Sequence, residues 1–203
     1  YLHVNCSTCH RFGGGGSADI DLSAFDVRRQ MAKLTGPAKL GGFGLPDPKV
    51  MAPGEPERSV VQYRMTKFGT GRMPHIGSAL VDPAGVRLVA DYIAGLKPTE
   101  RPAADLSDAG IVKALGSPAG ALHLAVAFHA APTDARARVL AAAAKLPAGP
   151  VRDLFDGYLP QDPSVKKLGP APRPHAILAR TGDPARGREL LKSQRVQCLS
   201  CHK

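Results

Sequence analysis

The chain has 203 residues, a formal charge of +10, 22 Gly, 19 Pro, four Cys and no Trp. Aromatic residues make up 5% of it, too few for one large side-chain core, and no apolar run reaches the ~18 residues of a membrane span. The positive charge is dispersed, with no run of five like charges and no nucleic-acid motif; it argues against a nucleic-acid reader and fits either a plain solvated basic surface or one that steers towards an acidic redox partner.

Tyr1 to Asn5 is expected to be the last turn of a helix that leads into Cys6-Ser7-Thr8-Cys9-His10. Two thiols three positions apart on a helical turn can reach both vinyl groups of one porphyrin, and the histidine that follows can ligate the iron. That is the attachment pattern of a c-type haem. Gly13 to Gly16 come next and are expected to let the backbone turn sharply and approach the porphyrin. After a Gly/Pro-rich loop at 36–56, Pro56 to Met65 reads as a short helix with Val60, Val61, Arg64 and Met65 on one face. A glycine-bounded loop, Gly69 to Gly77, carries Met73. Asp82 then caps a helix with Pro83 at its first position. Its expected apolar face is Val86, Leu88, Val89, Tyr92, Ile93 and Leu96, and Gly95 and Pro98 end it. Residues 1–98 thus read as a small haem domain.

Residues 99–179 are alanine-rich and lack a haem motif; they read as a helical spacer. Ser107 caps a helix with Ile111, Val112 and Leu115, and Ser117-Pro118 opens a second with Leu122, Ala125, Val126 and His129. Thr133 caps a third, and Val151, Leu154, Phe155, Tyr158 and Leu159 have the spacing of a fourth. A Pro-rich linker, Gly169 to Pro174, follows. Residues 180–203 begin again as 1–98 do: Asp183 caps a helix from Pro184 that leads into Cys198-Leu199-Ser200-Cys201-His202. This is the start of a second haem segment, too short to bury a porphyrin alone. Its haem is expected to be covered by chain beyond Lys203, by the spacer or by a neighbouring molecule.

Both Cys-x-x-Cys-His runs together use every cysteine. A zinc site usually spaces its cysteine pairs ~12–20 residues apart and has no use for a histidine after each. A thioredoxin-like motif needs a strand–helix–strand context that is absent here. The expectation is therefore two covalently bound haem c groups. Cys6, Cys9, Cys198 and Cys201 would form the thioethers, and His10 and His202 would bind the irons. Met73 is the expected distal ligand of the first iron, because a soft thioether in a loop can fold over the open face. His75 is its rival; Met51 and Met65 fit a core better. Arg72 suits either a haem propionate or solvent. No distal ligand stands out for the second iron. His123, His129 and His175 read as surface or helix-face residues, with His175 the first candidate if the chain ends at Lys203.

The wording of these motifs resembles one family in particular. Tyr1-Leu2-His3-Val4-Asn5-Cys6 with Cys9-His10-Arg11, then Ala52-Pro53-Gly54-Glu55-Pro56-Glu57-Arg58-Ser59, Gly71-Arg72-Met73-Pro74, and Gly182-Asp183-Pro184-Ala185-Arg186-Gly187, are similar to the PVC-type haem-binding CxxCH proteins. The resemblance implies an all-α fold: a class I cytochrome c-like domain, a spacer and the beginning of another such domain. It implies one-electron transfer, with partners that are redox proteins, an upstream dehydrogenase domain or a neighbouring cytochrome. Haem attachment to Cys-x-x-Cys-His takes place in an oxidising compartment, so a periplasmic or extracellular location is expected, with a leader removed or a longer chain around this piece. Two other readings share the motifs. One is a dihaem peroxidase-type enzyme with an open site at the second haem; the other is a structural or filament subunit whose second haem a neighbour caps.

Overall fold

Side-chain caps set where most of the longer helices begin; the exception is the helix of Thr133–Ala143, in which Thr133, expected as the cap, is the first helical residue behind Pro132 and no side chain caps the start. In the computed structural model, which describes residues 1–25, 29–75, 79–97, 100–160, 175 and 178–192, four such caps recur. Asp82 accepts from the Gly85 amide at 3.0 Å, Ser107 from Gly110 and Ser117 from Gly120, both at 3.1 Å, and Asp183 from Arg186 at 3.1 Å. Each satisfies a donor that the first helical turn leaves open.

The resulting helices are α1 (Leu2–Asn5), α2 (Met31–Leu34), α3 (Val60–Thr66), α4 (Pro83–Leu96), α5 (Asp108–Leu115), α6 (Pro118–Phe128), α7 (Thr133–Ala143) and α8 (Pro184–Lys192). The fold is all-α. Among the described residues no strand forms; pairing is limited to isolated bridges of Lys49 with Pro37 and with Ser59. No described helix is long and apolar enough to cross a membrane.

Two apolar clusters organise the packing. The smaller joins Leu22, Leu34, Met51 and Met65 to Val86, Val89 and Ile93 of α4, with Leu2, Cys6 and Ile20 against it. The larger joins Leu45, Val60 and Tyr63 to Ile111, Leu115, Leu122, Phe128, Val139, Leu154 and Phe155. Helix α3 belongs to both. Val60 and Tyr63 face the larger cluster and Met65 the smaller, while the Gln62 side chain donates to the Val86 carbonyl at 3.0 Å. The 108–159 segment therefore shares a core with residues 45–63, and packing runs across the position expected to separate haem domain from spacer.

Several elements differ from their sequence patterns. The helix expected from Pro56 to Met65 is a 3-10 turn, Pro56–Arg58, followed by α3, with Ser59 extended between them. The Ser59 hydroxyl accepts from the Ala52 amide at 2.8 Å and donates to the Glu55 carbonyl at 3.1 Å, and this local bonding competes with the helical ladder. Because α3 is buried between two clusters, its apolar contacts are not confined to the single face of Val60, Val61, Arg64 and Met65. On α4, Leu88 and Tyr92 are 56% and 41% exposed, so the core stripe is the narrower Val86, Val89, Ala90 and Ile93. Val112 of α5 is exposed as well. Residues 151–159 form two 3-10 turns, Arg152–Leu154 and Asp156–Tyr158, in place of an α-helix. Their flanks explain it: Gly149-Pro150 precede them and Gly157 interrupts them, all weak helix formers. Leu154, Phe155 and Leu159 are still buried.

Candidate cofactor site

The first motif continues the turn begun by α1. The Cys6 amide donates to Leu2 O at 2.9 Å, and the Cys9 and His10 amides both donate to Cys6 O, at 3.2 and 2.9 Å. Cys6 and Cys9 thus sit three residues apart on one helical turn, with His10 at the next position. No disulfide joins the two. Burial pushes the Cys6 thiol up and Cys9 adds to it, so Cys6 is held as the thiol.

The glycines after the motif serve a close approach, though to the motif itself. The Gly16 amide donates to Cys9 O at 2.9 Å and the Leu22 amide to His10 O at 2.8 Å. A Cβ on Gly16 would stand 2.7 Å from His10 Nδ1 and 2.8 Å from Cys9 O. The loop folds back over the histidine, and only glycine fits there.

His10 is the most constrained side chain of the site. Burial lowers its pKa, the Ala18 backbone acts to raise it, and the charges of Arg64 and His75 lower it further. The net direction is down, so the ring is neutral near pH 7, the form that binds metals. Among the described residues its buried Nδ1, which faces Gly16, has no hydrogen-bond partner. A neutral imidazole next to two thiols one turn apart matches the donor types that a covalently bound haem would use. Among the described residues, no three His, Cys, Asp or Glu side chains gather into a group able to hold a metal ion.

The electrostatic reach of Arg64 and His75 to His10 brings a second loop into the neighbourhood. Met73, half-buried, lies two residues before His75, and its amide donates to the Arg64 carbonyl at 3.0 Å. The sequence placed Arg64 on a helix face and gave it no role at the site. Its guanidinium donates to Gly71 O and Leu40 O, both at 2.8 Å, and stacks over Phe43 at 4.8 Å. Arg72 is 9% exposed, so it is not the solvated arginine of one expected role; it donates to Met65 O at 3.0 Å, Lys67 O at 2.6 Å and Leu80 O at 2.7 Å. Two arginines on short arms thus tie the Met73 loop to α3. The sequence signal for this was weak, since an arginine beside glycines reads equally well as solvated. Met51 and Met65 are core residues, 0% and 5% exposed.

The remaining histidines have other settings. His123 Nδ1 lies 2.7 Å from Glu57 Oε1, and Arg101 bonds the same oxygen. His129 Nε2 is 2.8 Å from the Tyr158 hydroxyl, and burial, with Arg136 adding, holds its pKa down. His175 is exposed. Cys198, Cys201 and His202 lie outside the described residues. Helix α8, which precedes them, has no buried residue, and Leu190 and Leu191 are 43% and 49% exposed. No family model matches the chain, and neither the curated proteins nor the solved structures give a significant match to it.

Proposed function

We propose that the chain is a dihaem c-type cytochrome that passes single electrons outside the cytoplasm, in a periplasmic or extracellular setting. Residues 1–98 are read as a cytochrome c-like haem segment and 180–203 as the start of another. The observation that carries the reading is the Cys6–His10 turn: two thiols on one turn and a buried, neutral histidine beside them. Haem bound there supplies a one-electron couple. The chain's own groups have distinct roles. Cys6 and Cys9 would fix the group covalently, and His10 would hold its iron. Met73, in a loop held by arginine bonds, would supply the second iron ligand. The smaller cluster, against which Cys6 packs, would help to exclude water from the group. Cys198, Cys201 and His202 repeat the first set for a second haem. The chain has no bond-making chemistry of its own in this reading. Its charge of +10 favours an acidic redox partner, which is an upstream dehydrogenase domain or another cytochrome.

The test is acid–acetone extraction of the natively matured protein, followed by intact mass. Thioether-bound haem stays with the polypeptide and adds two haem masses. Haem released to the organic layer, or a chain without haem when matured in a cytochrome c-producing host, would overturn the reading.

A further inference from the structure

The region without a haem motif grips the loop that carries Met73. The Lys67 side chain, 2% exposed, lies at the start of that loop. Its ammonium donates to Phe68 O at 2.7 Å and Thr70 O at 2.6 Å, and pairs with Asp153 Oδ2 at 3.0 Å. The Phe68 amide donates to the Asp153 carbonyl at 2.7 Å. The Phe68 ring meets Tyr158 edge to face, with centroids 5.0 Å apart. It also lies so close over Gly157 that a Cβ there would come within 2.1 Å of the ring. The Arg72 guanidinium stands over the Phe68 ring, 5.6 Å from its centroid, and donates to the Lys67 carbonyl. Met73 is the next residue.

We infer that Asp153, Gly157 and Tyr158 are positioning residues for Met73, acting through Lys67 and Phe68. The inference rests on the reading of Met73 as an iron ligand. Its physical basis is that the loop is held by bonds from neighbouring elements and not by a helical ladder of its own: Arg64 and Arg72 tie it to α3, and Lys67 and Phe68 tie it to residues 153–158. Residues 67–73 form no helix, and Gly69 and Gly71 sit at φ +69° and +83°, a conformation that favours glycine and leaves the turn without side chains there to pack it. A buried ammonium is tolerable only while its acceptors are in place, so Lys67 keeps the loop wrapped as long as Asp153 neutralises it. Without that carboxylate the ammonium must find water, and the loop must open to let it. A thioether is a weak ligand, and a shift of the loop is read directly as loss of its bond. The helical region would then set the properties of a haem it does not itself attach.

The experiment uses the full, haem-loaded chain in four forms besides wild type: Met73→Ala, Asp153→Asn, Gly157→Ala, and Val139→Ala on α7 as a control of similar destabilisation. The far-red methionine–iron absorption of the oxidised protein, the midpoint potentials and the denaturation midpoint are recorded. Asp153→Asn and Gly157→Ala should keep both haems yet lose or weaken the band and lower one potential, while Val139→Ala keeps both. Asp153→Glu should restore most of the band. If Gly157→Ala yields no folded protein, Asp153→Asn decides alone. A band present in wild type, lost in Met73→Ala and unchanged in Asp153→Asn overturns the positioning role and leaves the ligand reading intact. A wild type without the band, or a Met73→Ala protein that retains it, overturns both.

Discussion

The Tyr63 hydroxyl donates to the carbonyl of Pro150 at 2.6 Å, across 87 positions of sequence. This bond joins α3, which packs beside the first haem motif, to the turns that end the helical region. Tyr63 is 0% exposed and stacks on Phe43 at 4.6 Å. Burial pushes its pKa far up, and the Asp153 carboxylate adds to this, so the hydroxyl stays a donor at any pH the fold survives. Tyr63→Phe should cost only about 1 kcal/mol, because Pro150 is exposed and its carbonyl can turn to water. Tyr63→Ala should cost roughly 3–5 kcal/mol by emptying a site in the larger cluster. Urea denaturation of the two variants measures both; equal losses would mean that the hydrogen bond, and not the ring, carries the contact.

Glu57 gives the fold a dependence on acid. Burial acts to raise its pKa, but the hydrogen bond with His123, its own backbone amide and Arg101 outweigh this and hold it below the usual carboxylate range. A carboxyl whose folded pKa is depressed contributes stability above its unfolded pKa, ordinarily near ~4.3, and loses it as pH falls through the folded value. The wild type should therefore weaken between about pH 5 and pH 3 more steeply than Glu57→Gln. Glu57→Gln should also be the less stable of the two near pH 7, since the acceptor that Arg101 and His123 share loses its negative charge. Thermal unfolding across that range checks the sign; parallel curves would show that the cluster is not linked to folding.

The parts of this arrangement that the sequence announced are those in which one residue type has few other uses. Four of the helix starts were visible as Asp or Ser before Pro or Asp, and three of the four caps lie at Asp-Pro or Ser-Pro. Cys6, Cys9 and His10 were visible because their spacing carries the chemistry. The break at Ser59 was hidden, because the hydroxyl partners, Ala52 and Glu55, come from a loop that has no pattern of its own. The braces on the Met73 loop were hidden for a related reason: Lys67 bonds backbone carbonyls, which every sequence offers. The shared core could not be read either. Alanine-rich helices at 108–143 have the periodicity of a bundle whether they pack on one another or, as here, also on Val60 and Tyr63.

The methionines should separate by role. Met73→Ala should leave haem attached, remove the far-red band and lower one potential, because the remaining ligands favour ferric iron more than a thioether does. Met51→Ala and Met65→Ala should keep the band and instead lose roughly 2–5 kcal/mol of stability, since both fill the smaller cluster. His75→Ala should resemble wild type, its side chain being exposed. Absorption spectra of the oxidised proteins decide among them; a band lost with Met65 or His75 and kept with Met73 would reassign the ligand.

The two motifs should prove independent in attachment and unequal in ligation. Cys6→Ala with Cys9→Ala should remove one haem mass and the methionine band together. The reason lies in the proposed role of Met73 at the first iron, which its neighbourhood supports: its amide is bonded to Arg64, and the Arg64 and His75 charges act on His10. Cys198→Ala with Cys201→Ala should also remove one haem mass, yet leave the band and the potential of the first haem near their wild-type values. That second loss should be mild for the fold as well, because the helix leading to Cys198 has no buried residue, whereas Cys6 packs against the smaller cluster. Intact mass, spectra and unfolding midpoints of the two double variants provide the comparison. If deletion of the second pair abolished the band, Met73 would belong to the second haem, and the chain would have to fold back on itself across the two motifs. If either deletion left the haem mass unchanged, that motif would not be an attachment site, and the dihaem reading would fail at that end of the chain.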